Sequence, residues 1–232
     1  MVTVGVRLPG FRLAAALRRT PAPDAAAYLI DRARRRVVEA SDVAAAAGVR
    51  PGMSLRAAAR LAPRAAVVLD DAARAARSWR RVLDVLAGLP APVDDGGAGL
   101  AFVRIARGDR PERWFRRVRD RVEPLGLLVR CGAGANRFVA FVATHRAADA
   151  VCPAGREAAF VADTPLELLG ADDAIALRLR LLGVRTLGDL TALPPAYLRR
   201  FGCDALPLHE LARGQGEFGP GGAAAEDEPA LS

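Results

Sequence analysis

The stretch Leu182-Gly183-Val184-Arg185-Thr186 constrains this chain more than any other, because it leaves room only for a tight reversal between two helices. Ahead of it, Ile175, Leu179 and Leu182 recur at helical spacing and stop at Gly183, a residue suited to the left-handed position past a helix end. After it, Thr186 starts a second helix, with Asp189 three residues on as a variant of the capping box. Such a hairpin is expected to turn the unpaired N–H groups and the positive dipole end of its second helix outward. Gly183 leaves an approaching anion unobstructed and Arg185 adds charge beside it, so Gly183, Val184, Arg185 and Thr186 are candidate phosphate contacts. Two readings stand side by side: a helix-hairpin-helix that grips nucleic-acid phosphate without reading bases, or an ordinary helical hairpin with a glycine stop.

From the N-terminus, Val2 to Val6 alternates like a strand and Phe11 to Arg19 reads as a short helix. Ala27 to Ile30 and Arg36 to Ala40 read as two strands around a charged turn. Ser41 and Ser54 each cap a small helix, the first ending at Gly48 and the second at about Leu61. Val67 to Leu69 looks like a buried strand, followed by a helix from about Asp71 to Gly88. Gly99 to Ile105 is a strand, and Trp114, Phe115, Val118 and Val122 stripe a helix from about Arg110 to Glu123, whose arginine-rich opposite face is read as solvated. Leu127 to Cys131 reads as a strand, Gly132-Ala133-Gly134 as a turn, Asn136 to His145 as a helix and Ala159 to Ala162 as a last strand. The Gly132-x-Gly134 pair lacks the third glycine of a dinucleotide loop. From Thr164 to Gly214 the pattern is helical, with Pro195 at a helix start and Gly202 at its end, and the Gly/Ala/acid-rich tail after Gly216 reads as disordered.

The charge is +8, and all 34 basic side chains are arginine. Arginine-only, alanine-rich usage fits a genomic base-composition bias, yet a basic chain still attracts polyanions, and the arginine fork suits phosphate. The lack of lysine excludes a Walker-A phosphate loop and any Schiff-base lyase. Aromatics make up only 5% of the chain, so an Ala/Leu/Val-packed core is expected. Cys131, Cys152 and Cys203 show no metal spacing and fit a reducing cytoplasm as buried or idle thiols. His145 and His209 stand far apart without carboxylate or thiol neighbours and are expected at the surface. Neither a metal nor a cofactor is expected, nor a membrane segment, and the chain is expected to be cytoplasmic.

In their order, several phrases resemble the Y-family (translesion) DNA polymerases. Gly48-Val49-Arg50-Pro51-Gly52-Met53 is similar to that family's fingers turn. Gly132 to Ala140 is similar to its late palm strand and Asn-Lys helix, with Arg137 in the lysine place, while Leu181 to Leu190, Leu198 to Gly202 and Leu211 to Gly214 resemble its thumb. The resemblance implies an α+β fold: a ferredoxin-like palm (1–11 and 67–162) with small fingers (12–66). An all-helical helix-hairpin-helix thumb (163–216) and a tail (217–232) follow. It also implies that Arg137 faces nucleic acid.

Polymerase chemistry needs carboxylates to hold paired Mg²⁺ ions. The places the family keeps acidic hold Arg7 and Pro9 here, and no carboxylate lies between Gly96 and Val103. The family's triphosphate-gripping Tyr and Arg correspond to Asp42 and Ala45, and a later lysine to Phe141. The chain is therefore most similar to ImuB-type members, which lack the acids and act as adaptors in a bacterial mutagenic-repair assembly. That implies non-specific binding to the DNA backbone, with a RecA-like companion, a C-family DNA polymerase and the sliding clamp as partners, and no catalytic residues. The family's little-finger domain has no counterpart after Gly216. Two other readings are a working polymerase using the displaced acids Asp94 and Asp95, and a structural module whose DNA affinity has decayed.

Overall fold

The computed structural model describes residues 1–17, 25–170, 173–194 and 205–216. Strand β1 (Val2–Arg7) is the centre of a five-stranded sheet, antiparallel both to β6 (Leu100–Ile105) and to β7 (Arg130–Gly134). The edge beyond β6 is β5 (Val93–Asp95), and the edge beyond β7 is the short β8 (Ala150–Val151), giving the order β5-β6-β1-β7-β8. Side chains alternate across a strand, and the two faces part accordingly. Val4, Val6, Ala101, Val103, Ile105, Cys131 and Ala133 bury against helices α4 (Ala72–Ala87) and α5 (Pro111–Val122), where Trp79, Val82, Trp114, Phe115 and Val118 meet them.

The other face carries Gly5, Gly132 and Gly134, and helix α6 (Arg137–Ala143) lies directly on them. A Cβ on Gly132 would stand 2.5 Å from the backbone of Ala143 and Thr144, and one on Gly5 would stand 2.9 Å from the Ala140 carbonyl oxygen. This explains why Gly132-Ala133-Gly134 is strand rather than the expected turn: the glycines are there for helix-to-sheet contact, not for chain reversal. The strand starts at Arg130, so Leu127 to Val129 lies before it.

Beyond α6, a second core joins Phe138, Val139 and Val142 to a helical region. It holds α7 (Glu157–Val161), a 3₁₀ turn at Leu166–Leu169, α8 (Asp173–Leu181), α9 (Leu187–Ala192) and α10 (Ala205–Ala212). Ala159 to Ala162 therefore lies at the end of a short helix, not in a strand; an apolar run this short fits either period. Pro195, Gly202, Cys203 and the tail from residue 217 lie outside the described residues.

A smaller sheet, β3-β2-β4, is built from β2 (Ala27–Ile30), β3 (Val37–Ala40) and β4 (Ala66–Leu69). It carries α2 (Asp42–Ala46) and α3 (Leu55–Leu61), each capped by its serine hydroxyl, as expected. Helix α1 (Phe11–Leu17) ties this sheet to the larger one. Glu39 of β3 accepts the Leu13 N–H at 2.7 Å, and Arg12 pairs with Asp70 just past β4. Val67 and Leu69 are about half exposed rather than buried, because β4 is an edge strand. No described helix is long and apolar enough to cross a membrane.

Gly132→Ala should destabilise the fold by about 2–3 kcal/mol, because the added methyl meets backbone that cannot swing away. Gly10→Ala, which meets only open space at a φ of +66°, should cost about 1–2 kcal/mol from backbone strain alone. Urea midpoints for the two variants check the order.

Candidate nucleic-acid interface

The end of β1 on the α6 side carries Arg7. Arg7 stands opposite Leu100 on one neighbouring strand and Arg130 on the other. Its guanidinium turns to the C-terminal end of α6, donating through Nη2 to the Thr144 carbonyl at 3.0 Å and through Nε to Thr144 Oγ1 at 3.3 Å. A cation here completes the last turn of a helix, whose carbonyls lack intrahelical partners. Burial and then the neighbouring Arg130 lower the pKa of Arg7, while Asp42 pulls it back up.

Asp94 and Asp95 do not come together as a metal site. Asp94 pairs in register with Phe102 on the α6 side of the sheet, and its carboxylate makes ion pairs with Arg137 at 2.9 Å and Arg104 at 3.2 Å. Asp95, the next residue along the strand, faces the other way, accepting from Trp79 Nε1 at 2.8 Å and from the Gly97 N–H at 2.8 Å. Adjacent strand residues point to opposite faces, so these two carboxylates cannot share a metal ion. Among the described residues no three His, Cys, Asp or Glu side chains come together as ligands. This donor set does not fit the paired Mg²⁺ of a polymerase.

Arg137 is the first residue of α6, and besides Asp94 it meets Phe102, whose ring centroid is 5.8 Å away. Part of its charge is thus met within the fold, while the side chain stays 39% exposed. Asn136 precedes it as the N-cap, accepting the Val139 N–H at 2.9 Å while its amide donates to the Gly214 carbonyl at 2.7 Å. One side chain therefore starts α6 and ties the sheet to the end of the helical region.

Hairpin α8–α9 forms where the sequence places it, with Gly183 left-handed at φ +84°. The expectation of outward, unpaired N–H groups is overturned. Arg185 and Thr186 both donate their N–H to Asp189 Oδ2 at 2.9 Å, and the Thr186 hydroxyl takes the Asp189 N–H in return. Gly183 donates to Arg180, Val184 to Leu179, Leu187 to Thr164 and Gly188 to Ala162. The capping box and neighbouring carbonyls saturate the helix start, and the Asp189 carboxylate occupies the place an anion would take. Val184 is buried and its side chain belongs to the core. Of the expected contacts, the Arg185 side chain remains exposed and makes no ion pair with any described residue.

Neither histidine is a surface residue. His209 is buried on α10, and His145 is partly buried, its Nδ1 3.0 Å from the Phe141 carbonyl. Burial, and then the charge of Arg7, push the His145 pKa down to about 4. Cys131 and Cys152 are buried free thiols pushed up by burial to about 12 and about 11 respectively, unsuited to nucleophilic work.

Because the folded state holds His145 neutral, stability is complete above the ordinary imidazole value near 6.5 and falls as pH drops toward about 4. The loss attributable to this residue is at most about 3 kcal/mol. Urea unfolding at pH 7 and pH 4.5, on wild type and His145→Gln, should show a smaller pH loss in the variant; equal losses would contradict it.

Comparison with known proteins places this geometry. The impB/mucB/samB family profile matches residues 12–145. DinB from Sulfolobus solfataricus superposes with a TM-score of 0.73 at 18% identity, over 92% of this chain and 67% of that one. A Y-family DNA polymerase chimera of Dbh and Dpo4 gives 0.72 at 18% identity, over 95% and 69%. An insertion ternary complex of Dbh DNA polymerase gives 0.69 at 19%, over 94% and 68%. No curated protein matches the sequence. The likeness is one of fold, over about two thirds of each of those chains, and the α+β architecture of two sheets and a helical region is that of the Y-family polymerases.

Proposed function

The chain belongs to the impB/mucB/samB family, and on that premise we propose that it is a non-catalytic, DNA-binding adaptor of the ImuB type. It would serve bacterial translesion repair in the cytoplasm. The observation that carries this reading is Arg7: where a polymerase needs a metal-binding carboxylate, this chain has a guanidinium bonded to the end of α6. A cation there repels Mg²⁺, and the opposite orientations of Asp94 and Asp95 argue against a displaced active site. In this reading residues 1–11 and 67–162 are the palm, 12–66 the fingers and 163–216 the thumb. DNA is held by its backbone, with Arg185 as the thumb's charged contact and Arg130 and Arg137 lining the palm. A RecA-like companion, a C-family polymerase and the sliding clamp are the protein partners.

Primer extension with Mg²⁺ or Mn²⁺ should yield no product. Template-dependent product lost in an Asp94→Ala/Asp95→Ala variant would establish a working polymerase instead. DNA binding should ignore sequence, weaken steeply with salt and lie on the order of micromolar or weaker at physiological salt. Arg185→Ala should weaken it a few-fold. Asp189→Asn, which removes a negative charge beside the same contact, should tighten it. A salt series by fluorescence anisotropy decides the matter: if Arg113→Ala/Arg117→Ala on α5 abolishes binding while both hairpin variants match wild type, the thumb is not the grip.

A further inference from the structure

The outer face of α4 and α5 lies on the side of the large sheet away from α6, Arg7 and Arg137, and the DNA-binding reading makes no use of it. Both helices turn their aromatic and aliphatic residues inward, leaving Arg77, Arg80 and Arg81 exposed on α4 and Arg113, Arg116 and Arg117 on α5. The exposed acids of the same two helices are only Asp84, Glu112 and Asp120, so the face carries a net positive charge.

Between α1, α4 and the turn at 124–127 this face opens into a cleft of about 520 Å³. Pro124, Leu125 and Leu127 give one wall its apolar surface, Phe11 and Val82 lie buried beneath, and Arg74 and Arg81 add charge. Asp71 already holds Arg74 at 3.3 Å. Arg81 is exposed and makes no hydrogen bond or ion pair with any described residue.

We propose that this cleft docks an acidic peptide segment of a protein partner through a large aliphatic side chain. The aliphatic group would pack on the wall of Leu125 and Leu127, while flanking carboxylates meet the Arg81 fork and the positive field of the two helices. The alternative polyanion, single-stranded nucleic acid, fits less well. It binds by stacking bases on exposed aromatic faces, and here Trp79, Trp114 and Phe115 are all buried. The proposal stands apart from the DNA-binding reading, since the two surfaces lie on opposite sides of the sheet.

The test uses the whole chain and a fluorescent peptide of Asp and Glu carrying leucines, read by anisotropy. Its comparisons are the same peptide with serine for leucine, and an oligothymidylate. The leucine peptide should bind, the serine peptide should bind at least about tenfold more weakly, and oligothymidylate should not displace the leucine peptide. Arg81→Glu should cost about tenfold or more, and Arg77→Glu, the same charge change one helical turn outside the cleft, clearly less. Circular dichroism confirms that both variants, changed at exposed positions, keep the fold. No binding of the leucine peptide, equal binding of the serine peptide, or equal losses in the two variants would each overturn the proposal. Displacement of the peptide by oligothymidylate would reassign the face to nucleic acid.

Discussion

The close seat of α6 on the glycines of β1 and β7 is the constraint from which the rest follows. Three positions without side chains let a helix lie at backbone distance from a sheet, and that proximity fixes everything α6 carries. At its end Thr144 is brought within reach of Arg7; at its start Arg137 reaches Asp94 across the neighbouring strands. Just ahead, Asn136 reaches Gly214. Raising the helix by the thickness of one methyl group would loosen all three contacts together.

Electrostatically, the end of β1 beneath α6 is basic. A metal-dependent site gathers carboxylates that repel one another until cations arrive. Here the end of β1 holds Arg7 beside Arg130, with the charge of Asp42 acting on Arg7, while Asp94 is paired with Arg104 and Arg137 and Asp95 is turned to the opposite face. The hairpin repeats the theme on a smaller scale, its own Asp189 filling the anion place that the fold offers. Both positions are closed by internal charges, so in the proposed DNA-binding role side chains such as Arg185 and Arg130, rather than the hairpin's backbone, would meet a phosphate.

Most elements were legible in the sequence because period and caps agreed: Ser41, Ser54, Asn136 and Thr186 all cap the helices they precede. The basic end of β1 was equally plain, since an arginine at position 7 needs no structure to be noticed. Partners remote in sequence stayed hidden. Arg7 and Thr144 are 137 residues apart, and no local pattern announces that they will meet. The Gly132-Ala133-Gly134 run misled because turn propensity and the demands of a close-packed helix select the same residue. Asp189 was recognisable as a cap, but only its geometry shows that one carboxylate takes two N–H groups and so closes the hairpin to an outside anion.

The central place of β1 also governs how the chain can be made. Residues 2 to 7 are synthesised long before both neighbouring strands, the second of which ends at Gly134. At ordinary elongation rates the opening strand waits on the order of ten seconds for its ladders to close. During that interval Val2, Val4 and Val6 have no native cover, and the early compact piece available to protect the nascent chain is the small β3-β2-β4 sheet. Folding of the large sheet is therefore a late, non-local event, and the yield of soluble protein should depend on how long the first strand can be kept from pairing with another chain.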